Sequence, residues 1–195
     1  MNSGPESRRE RFHNRDYRRD FLKYKAALIR AAAMAKRHGI SHREPPFQVG
    51  AAAMSIEPGL PDGEYAVYTG YNFTPTPVKR RGRDKRCAER NVFEAALEKG
   101  ATLIPAMVTV ASEKHTGDKT RAHDALHPCQ DCRDMMRELR DKGILPGDGI
   151  ICSVNDSKEI SSGKFAEEQM SVDELLALYD DMDAEQPKLD FGANF

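Results

Sequence analysis

Two short elements limit most strongly how this chain can fold: Cys87-Ala-Glu89 and Pro128-Cys129-Gln-Asp-Cys132. Each stands at the start of a helical pattern. From Cys87 the segment carries Val92, Ala95, Ala96 and Leu97 and closes at Lys99–Gly100. From about Cys129 to Lys142 a second helix is predicted to bury Cys132, Met135, Met136 and Leu139, and it stops at Gly143. Cys129 and Cys132 sit within one helical turn and can chelate one ion. For Cys87 to add a third sulfur, two helix starts far apart in sequence must become neighbours. Unpaired backbone N–H groups and the helix dipole lower a thiol's pKa at such starts, and the thiolate is the metal-binding form.

Three thiolates are one ligand short of a closed zinc site, and catalytic zinc keeps its fourth position for water. Glu89, two residues from Cys87, then has a role as the group that takes a proton from that water and delivers it to a ring nitrogen and a leaving amine. The competing reading is a structural zinc knuckle closed by His127, with Glu89 on a solvated face. Arg90 is a candidate donor to sulfur that would withdraw charge from a negative three-thiolate centre; otherwise it is a surface arginine. Cys152, inside an apolar run, reads as a small buried hydrophobe.

The remaining pattern supplies a frame for these helices. The 195 residues favour one domain, and 30 Lys+Arg against 31 Asp+Glu give no global field toward nucleic acid or membrane. Residues 1–15 read as a disordered basic segment, 16–182 as the domain and 183–195 as a tail. A helix is predicted from Asp16 to Arg37, with Phe21, Tyr24, Leu28, Ala32 and Ala35 on one stripe. "FQVGAAAM" (47–54) and "EYAVYTGY" (64–71) read as a hairpin across the turn "EPGLPDG", and "LIPAMVTVAS" (103–112) and "DGIICSVN" (148–155) as buried strands. A last helix starts at Ser171, where Ser171 and Glu174 have capping-box spacing, and runs to about Met182. The periodicity thus gives four strands and four helices, and implies a mixed sheet covered on both faces. Four cysteines, an arginine-rich N-terminus without an apolar signal core and no membrane-length apolar run suggest a cytoplasmic protein.

The two cysteine elements resemble the signature of the cytidine deaminase superfamily, a Cys/His-x-Glu element followed by P-C-x-x-C. "FQVGAA" (47–52), "TGYN" (69–72), "CAER" (87–90), "PCQDCR" (128–133) and "SVDELL" (171–176) are similar to motifs of the small three-cysteine enzymes of the cytidine and blasticidin-S deaminase kind. The similarity spans roughly residues 20–182. It implies a three-layer α/β/α sandwich around a mixed five-stranded sheet, assembled as a homo-oligomer, a tetramer or dimer, in which neighbours help complete each site. It implies zinc on Cys87, Cys129 and Cys132, Glu89 as proton shuttle, the Ala88 backbone and Phe47 beside the base, and Asn72 on the sugar. The implied reaction is hydrolytic deamination of a cytidine-like nucleoside or related aminopyrimidine, with release of ammonia.

The sequence departs from the pattern at Thr74, where a ribose-binding carboxylate belongs, and in a loop that adds Lys79, Arg80, Arg81, Arg83, Lys85 and Arg86. The segment 113–127, with His115, His123 and His127, is also expanded. Exchange of a carboxylate for a hydroxyl beside six cations suits an anionic substrate, such as a nucleotide or a carboxylated nucleoside analogue; the loop reads equally as a solvated charge run or a subunit contact. Single-stranded nucleic acid ranks below a small molecule, because Phe73 is the loop's single aromatic. A non-catalytic ligand-binding protein on the same scaffold is the alternative outside enzymology.

Overall fold

The computed structural model describes residues 17–40, 47–73, 86–112, 125–156 and 166–185, with the backbone alone for 181–185. The terminal segment 1–15, Thr74, the loop cations from Lys79 to Lys85, His115 and His123 lie outside the described residues.

Helix α1 (Tyr17–Lys36) buries Tyr17, Phe21, Leu28, Ala32 and Ala35; of the stripe expected from periodicity only Tyr24 is half-buried, and Tyr17 joins it. Strands β1 (Val49–Ile56) and β2 (Ala66–Tyr71) pair antiparallel, with Ala52 opposite Thr69. Helix α2 (Ala88–Glu98) follows, then β3 (Leu103–Ala111), α3 (Gln130–Asp141) and β4 (Ile150–Asn155). The sheet order is β2-β1-β3-β4-β5. Only β3 and β4 are parallel, and α3 makes the crossover between them.

The fifth strand, β5 (Ala166–Ser171), pairs antiparallel with β4 and has no counterpart in the hydrophobic periodicity. Its sequence AEEQMS is too polar to read as a strand. It lies at the sheet edge and alternates half-buried and exposed positions, which tolerates two glutamates and a glutamine. Helix α4 (Val172–Glu185) follows without a loop. It begins with the reciprocal cap expected at Ser171: the Ser171 N–H donates to Glu174 Oε2 at 2.7 Å, and the Glu174 N–H donates to Ser171 Oγ at 3.1 Å. The helix runs past the expected Met182 to Glu185.

Two core layers sandwich the sheet. Alternate residues of β1 divide between them: Ala52 and Met54 join Phe21, Leu28 and Ala32 of α1, whereas Val49, Ala51 and Ala53 face Val92 and Phe93 of α2, Met136 of α3 and Leu175 and Leu176 of α4. The three-layer α/β/α sandwich with a mixed five-stranded sheet is therefore the observed architecture. Small residues on β1 are required for it. A Cβ on Gly50 would lie 2.0 Å from the Ala32 carbonyl oxygen and 2.4 Å from the Lys36 nitrogen, so only glycine lets α1 cross the strand this closely. Pro105, unusual in an interior strand, sits where the β1–β3 register shifts between Met54 and Ile56, a place that does not demand a ladder N–H.

Candidate metal and catalytic site

Cys87 and Cys129 are the N-cap residues of α2 and α3, both in extended backbone (φ −80°, ψ 151° and φ −70°, ψ 169°). Neither side chain caps its own helix, so both sulfurs are free to turn toward one another. Cys132 lies one turn into α3 and is buried. The Cys87 and Cys129 sulfurs are 3.3 Å apart, and Cys129 and Cys132 are 3.5 Å apart. All three lie within 4.8 Å of one another and form the one grouping of this kind among the described residues. A tetrahedral zinc with bonds of about 2.3 Å separates its sulfurs by about 3.8 Å. The Cys87–Cys129 and Cys129–Cys132 separations lie within about half an ångström of that spacing, so the donor set suits such an ion.

Glu89, in the first turn of α2, is a buried carboxylate beside the cluster, with Oε2 3.9 Å from Cys132 Sγ. The two helix starts aim their dipoles at the same point, but thiol ionisation does not follow the direction expected from that alone. The Cys87 thiol is pushed up to about 12, first by its hydrogen bond with Cys129, then by burial and the nearby Glu89 charge, against an opposing hydrogen bond with Cys132. Cys132 is also raised, by its bonds to Cys129 and Cys87, burial and Glu89. Crowding of three sulfurs and a carboxylate thus works against ionisation. A cation placed among them reverses that balance, because it compensates every one of the repelling charges.

The neighbouring strands hold this site in place. A Cβ on Gly70 would meet the Ala88 carbonyl oxygen at 2.5 Å and the Val92 nitrogen at 2.8 Å, so glycine in "TGYN" allows the first turn of α2 to lie against β2. Phe73 and Arg86 exchange two backbone hydrogen bonds of 2.9 Å, which sets Asn72 and Cys87 one residue away on either strand of the bridge. Asn72 is buried. Its Oδ1 accepts from the Val49 N–H at 2.8 Å, and its Nδ2 donates to the Phe47 carbonyl at 2.8 Å. These bonds fix the start of β1 and leave one amide N–H and one lone pair. Phe47 is half-buried against the same core layer, and Ala88 is fully buried.

Two expectations change. Arg90 does not donate to sulfur here: its Nε donates to Glu94 Oε1 at 2.9 Å, and its side chain is 51% exposed. Glu94, an ionised carboxylate one turn along the same helix, is the acceptor within its reach. Arg86 reaches the same Glu94 at 2.9 Å. His127 does not close the cysteine cluster. Its Nδ1 lies 2.9 Å from the Tyr179 hydroxyl and its Nε2 lies 2.6 Å from Glu168 Oε2, so both ring nitrogens are engaged elsewhere. Cys152, at the centre of β4, is fully buried and its thiol is pushed up to about 12, chiefly by burial, in keeping with an inert core residue.

Sequence reasoning passed over Arg133. It directly follows Cys132 and is buried, although arginine on a helix ordinarily faces water. Its Nη1 donates to the Pro128 carbonyl at 2.8 Å, and its guanidinium lies 3.9 Å from the centre of the Tyr179 ring. The signal available in sequence was its position directly after Cys132, not its residue type.

No family model matches the sequence, and no curated protein matches it. Solved structures do resemble it. A cytidine deaminase from Burkholderia pseudomallei superposes with a TM-score of 0.53 at 22% identity, over 77% of this chain and 94% of that one. A cytidine deaminase from Mycobacterium tuberculosis gives 0.44 at 23% identity, over 65% and 81%. A dCMP deaminase from the cyanophage S-TIM5 gives 0.36 at 18% identity, over 63% and 78%. The first likeness shows that the two chains share a fold; the other two are too loose to carry weight. No helix among the described residues is long and apolar enough to cross a membrane.

Proposed function

We propose that this chain is a zinc-dependent hydrolytic deaminase acting on a cytidine-like nucleoside or a related aminopyrimidine. The observation that carries the reading is the convergence of three cysteine sulfurs at two helix starts with a buried carboxylate 3.9 Å from one of them. The shared fold with a cytidine deaminase supports it. Cys87, Cys129 and Cys132 would hold the zinc, which supplies a Lewis acid that brings water ionisation near neutral pH. Glu89 would accept one proton from the attacking water and pass it to the ring nitrogen next to the amino-bearing carbon as the new C–O bond forms at that carbon. It would then take the second proton from the added hydroxyl and pass it to the amine; the C–N bond breaks as the added oxygen becomes the carbonyl, so water is consumed and ammonia leaves. Burial of Glu89 excludes bulk water from this transfer.

Phe47, the Ala88 backbone and the remaining amide valences of Asn72 are the proposed contacts for base and sugar. Asn72 is already oriented by its two backbone bonds, so a substrate hydroxyl meets a preset group. A second reading, of a nucleotide or carboxylated analogue as substrate, is favoured by the basic run that ends at Arg86, which is bonded through its backbone to Phe73 next to Asn72. We further propose that the protein works as a cytoplasmic homo-oligomer.

The test is an ammonia-release screen on full-length protein carrying one zinc per chain, over cytidine, deoxycytidine, their monophosphates, guanine, adenosine and blasticidin-type analogues. Turnover of a cytosine-bearing compound supports the reading. Release from monophosphates but not nucleosides selects the anionic substrate. Zinc-loaded protein that binds a nucleoside tightly and releases no ammonia would leave a binding protein on this scaffold instead.

A further inference from the structure

Beside the cysteine cluster runs a circuit of polar side chains from the segment before α3, α3 itself, β5 and α4. Glu168 on β5 accepts from the Ala125 N–H at 3.4 Å with Oε1, and its Oε2 lies 2.6 Å from His127 Nε2. An ionised carboxylate only accepts, so Nε2 carries the ring proton, and in the neutral ring Nδ1 is left to accept from the Tyr179 hydroxyl at 2.9 Å. Tyr179, on α4, stacks edge-on to His127 and lies beneath the Arg133 guanidinium. Arg133 completes the circuit by donating to the Pro128 carbonyl at 2.8 Å, and its Nη2 donates to Gln130. Residues 125, 127 and 128 are therefore held from β5, α4 and α3 immediately before Cys129.

His127 is 3% exposed and Tyr179 is 3% exposed. Their polar atoms are out of water and bonded with short, well-placed partners, the condition under which such a network rigidifies its surroundings. Cys129 is an N-cap without a side-chain cap bond, and its sulfur lies 3.3 Å from Cys87 Sγ and 3.5 Å from Cys132 Sγ. Where the backbone before α3 is held therefore bears on where that sulfur sits.

We infer that Glu168, His127, Tyr179 and Arg133 form a strap by which β5 and α4 set the position of Cys129 and so the lifetime of metal in the three-cysteine site. These are positioning residues; none of them is a ligand. The inference rests on the reading of the cysteine cluster as a zinc site. It gives the edge strand and last helix a part in the chemistry of a centre built by α2 and α3. Loss of groups that orient metal ligands costs about 10–100-fold in affinity. Because the strap acts on one ligand through the backbone, the lower end applies.

The experiment measures zinc release from full-length, zinc-loaded protein to a chromophoric chelator. Glu168→Ala, on the solvent-facing edge, and Tyr179→Phe, which retains the ring beneath Arg133, are the deciding variants, with His127→Ala and His127→Gln beside them. Glu168→Ala and Tyr179→Phe are expected to release zinc about tenfold faster than wild type, and His127→Gln to be slower than His127→Ala. Val108→Ala, in the opposite core layer, is the control: it lowers thermal stability without changing release. If His127→Ala does not fold, the other two variants decide. Release within twofold of wild type for both overturns the strap, as does equal acceleration in Val108→Ala. Wild-type protein that takes up no zinc overturns the metal reading and the strap with it; wild type that holds one zinc while the variants are unaltered overturns the strap only.

Discussion

Gly70→Ala adds one methyl to β2, outside the cysteine cluster, and its cost follows from the structure. The new Cβ would lie 2.5 Å from the Ala88 carbonyl oxygen, 2.8 Å from the Val92 nitrogen and 3.1 Å from Asn91 Cβ, whereas ordinary contact begins at 3.4 Å. Two of these are backbone atoms of α2, so no side-chain rotation relieves the clash. The helix start must retreat by 3.4 − 2.5, about 0.9 Å, or β2 must move by as much. Overpacking of this kind costs about 1–3 kcal/mol in stability. The same retreat carries Cys87 and Glu89 away from Cys129 and Cys132, and a misplacement of about 1 Å at a reacting centre costs about 10²-fold in rate. The assay pairs ammonia release on the substrate found by screening with zinc content and a thermal melt. A folded Gly70→Ala protein with wild-type zinc retention and turnover within twofold of wild type would refute the claim that this contact sets the cluster.

Cys132→Ala should bind no stoichiometric zinc and melt at lower temperature, because metal binding is folding free energy; Cys152→Ala should hold zinc normally, which metal analysis of both separates. Asn72→Ala removes two buried backbone partners and should cost about 1–3 kcal/mol by chemical denaturation, with KM raised on any active nucleoside. Glu89→Gln should keep zinc and lose about 10²–10⁴-fold in kcat, read by single-turnover ammonia release. Phe93→Ala, fully buried between α2 and the sheet, should cost about 3–5 kcal/mol in denaturant.

Much of this architecture is written in local chemistry. The stripe on α1, the strand over 47–54 and the Ser171–Glu174 cap follow from period and capping, and the structure has a helix, a strand and a cap at those places. The cysteine spacing indicated which helix starts must meet. What stayed hidden was set by tertiary surroundings. β5 carries Glu167, Glu168 and Gln169, residues that periodicity assigns to loop, and becomes a strand because β4 offers it an edge. Arg133 is buried by Tyr179, which lies far along the sequence. Arg90 could reach toward sulfur by its position after Glu89, and Glu94, one turn along the same helix, takes its guanidinium instead. His127 could have been a ligand by residue type; Glu168, invisible as a strand residue, claims its ring nitrogen instead.

X-ray absorption at the zinc edge, on purified protein after removal of loosely bound metal, tests the central claim most directly. The account predicts one zinc per chain with three sulfurs at about 2.3 Å and one lighter atom, without the multiple scattering of a coordinated imidazole. Four sulfurs, an imidazole in the fourth position, or fewer than three sulfur neighbours would contradict it.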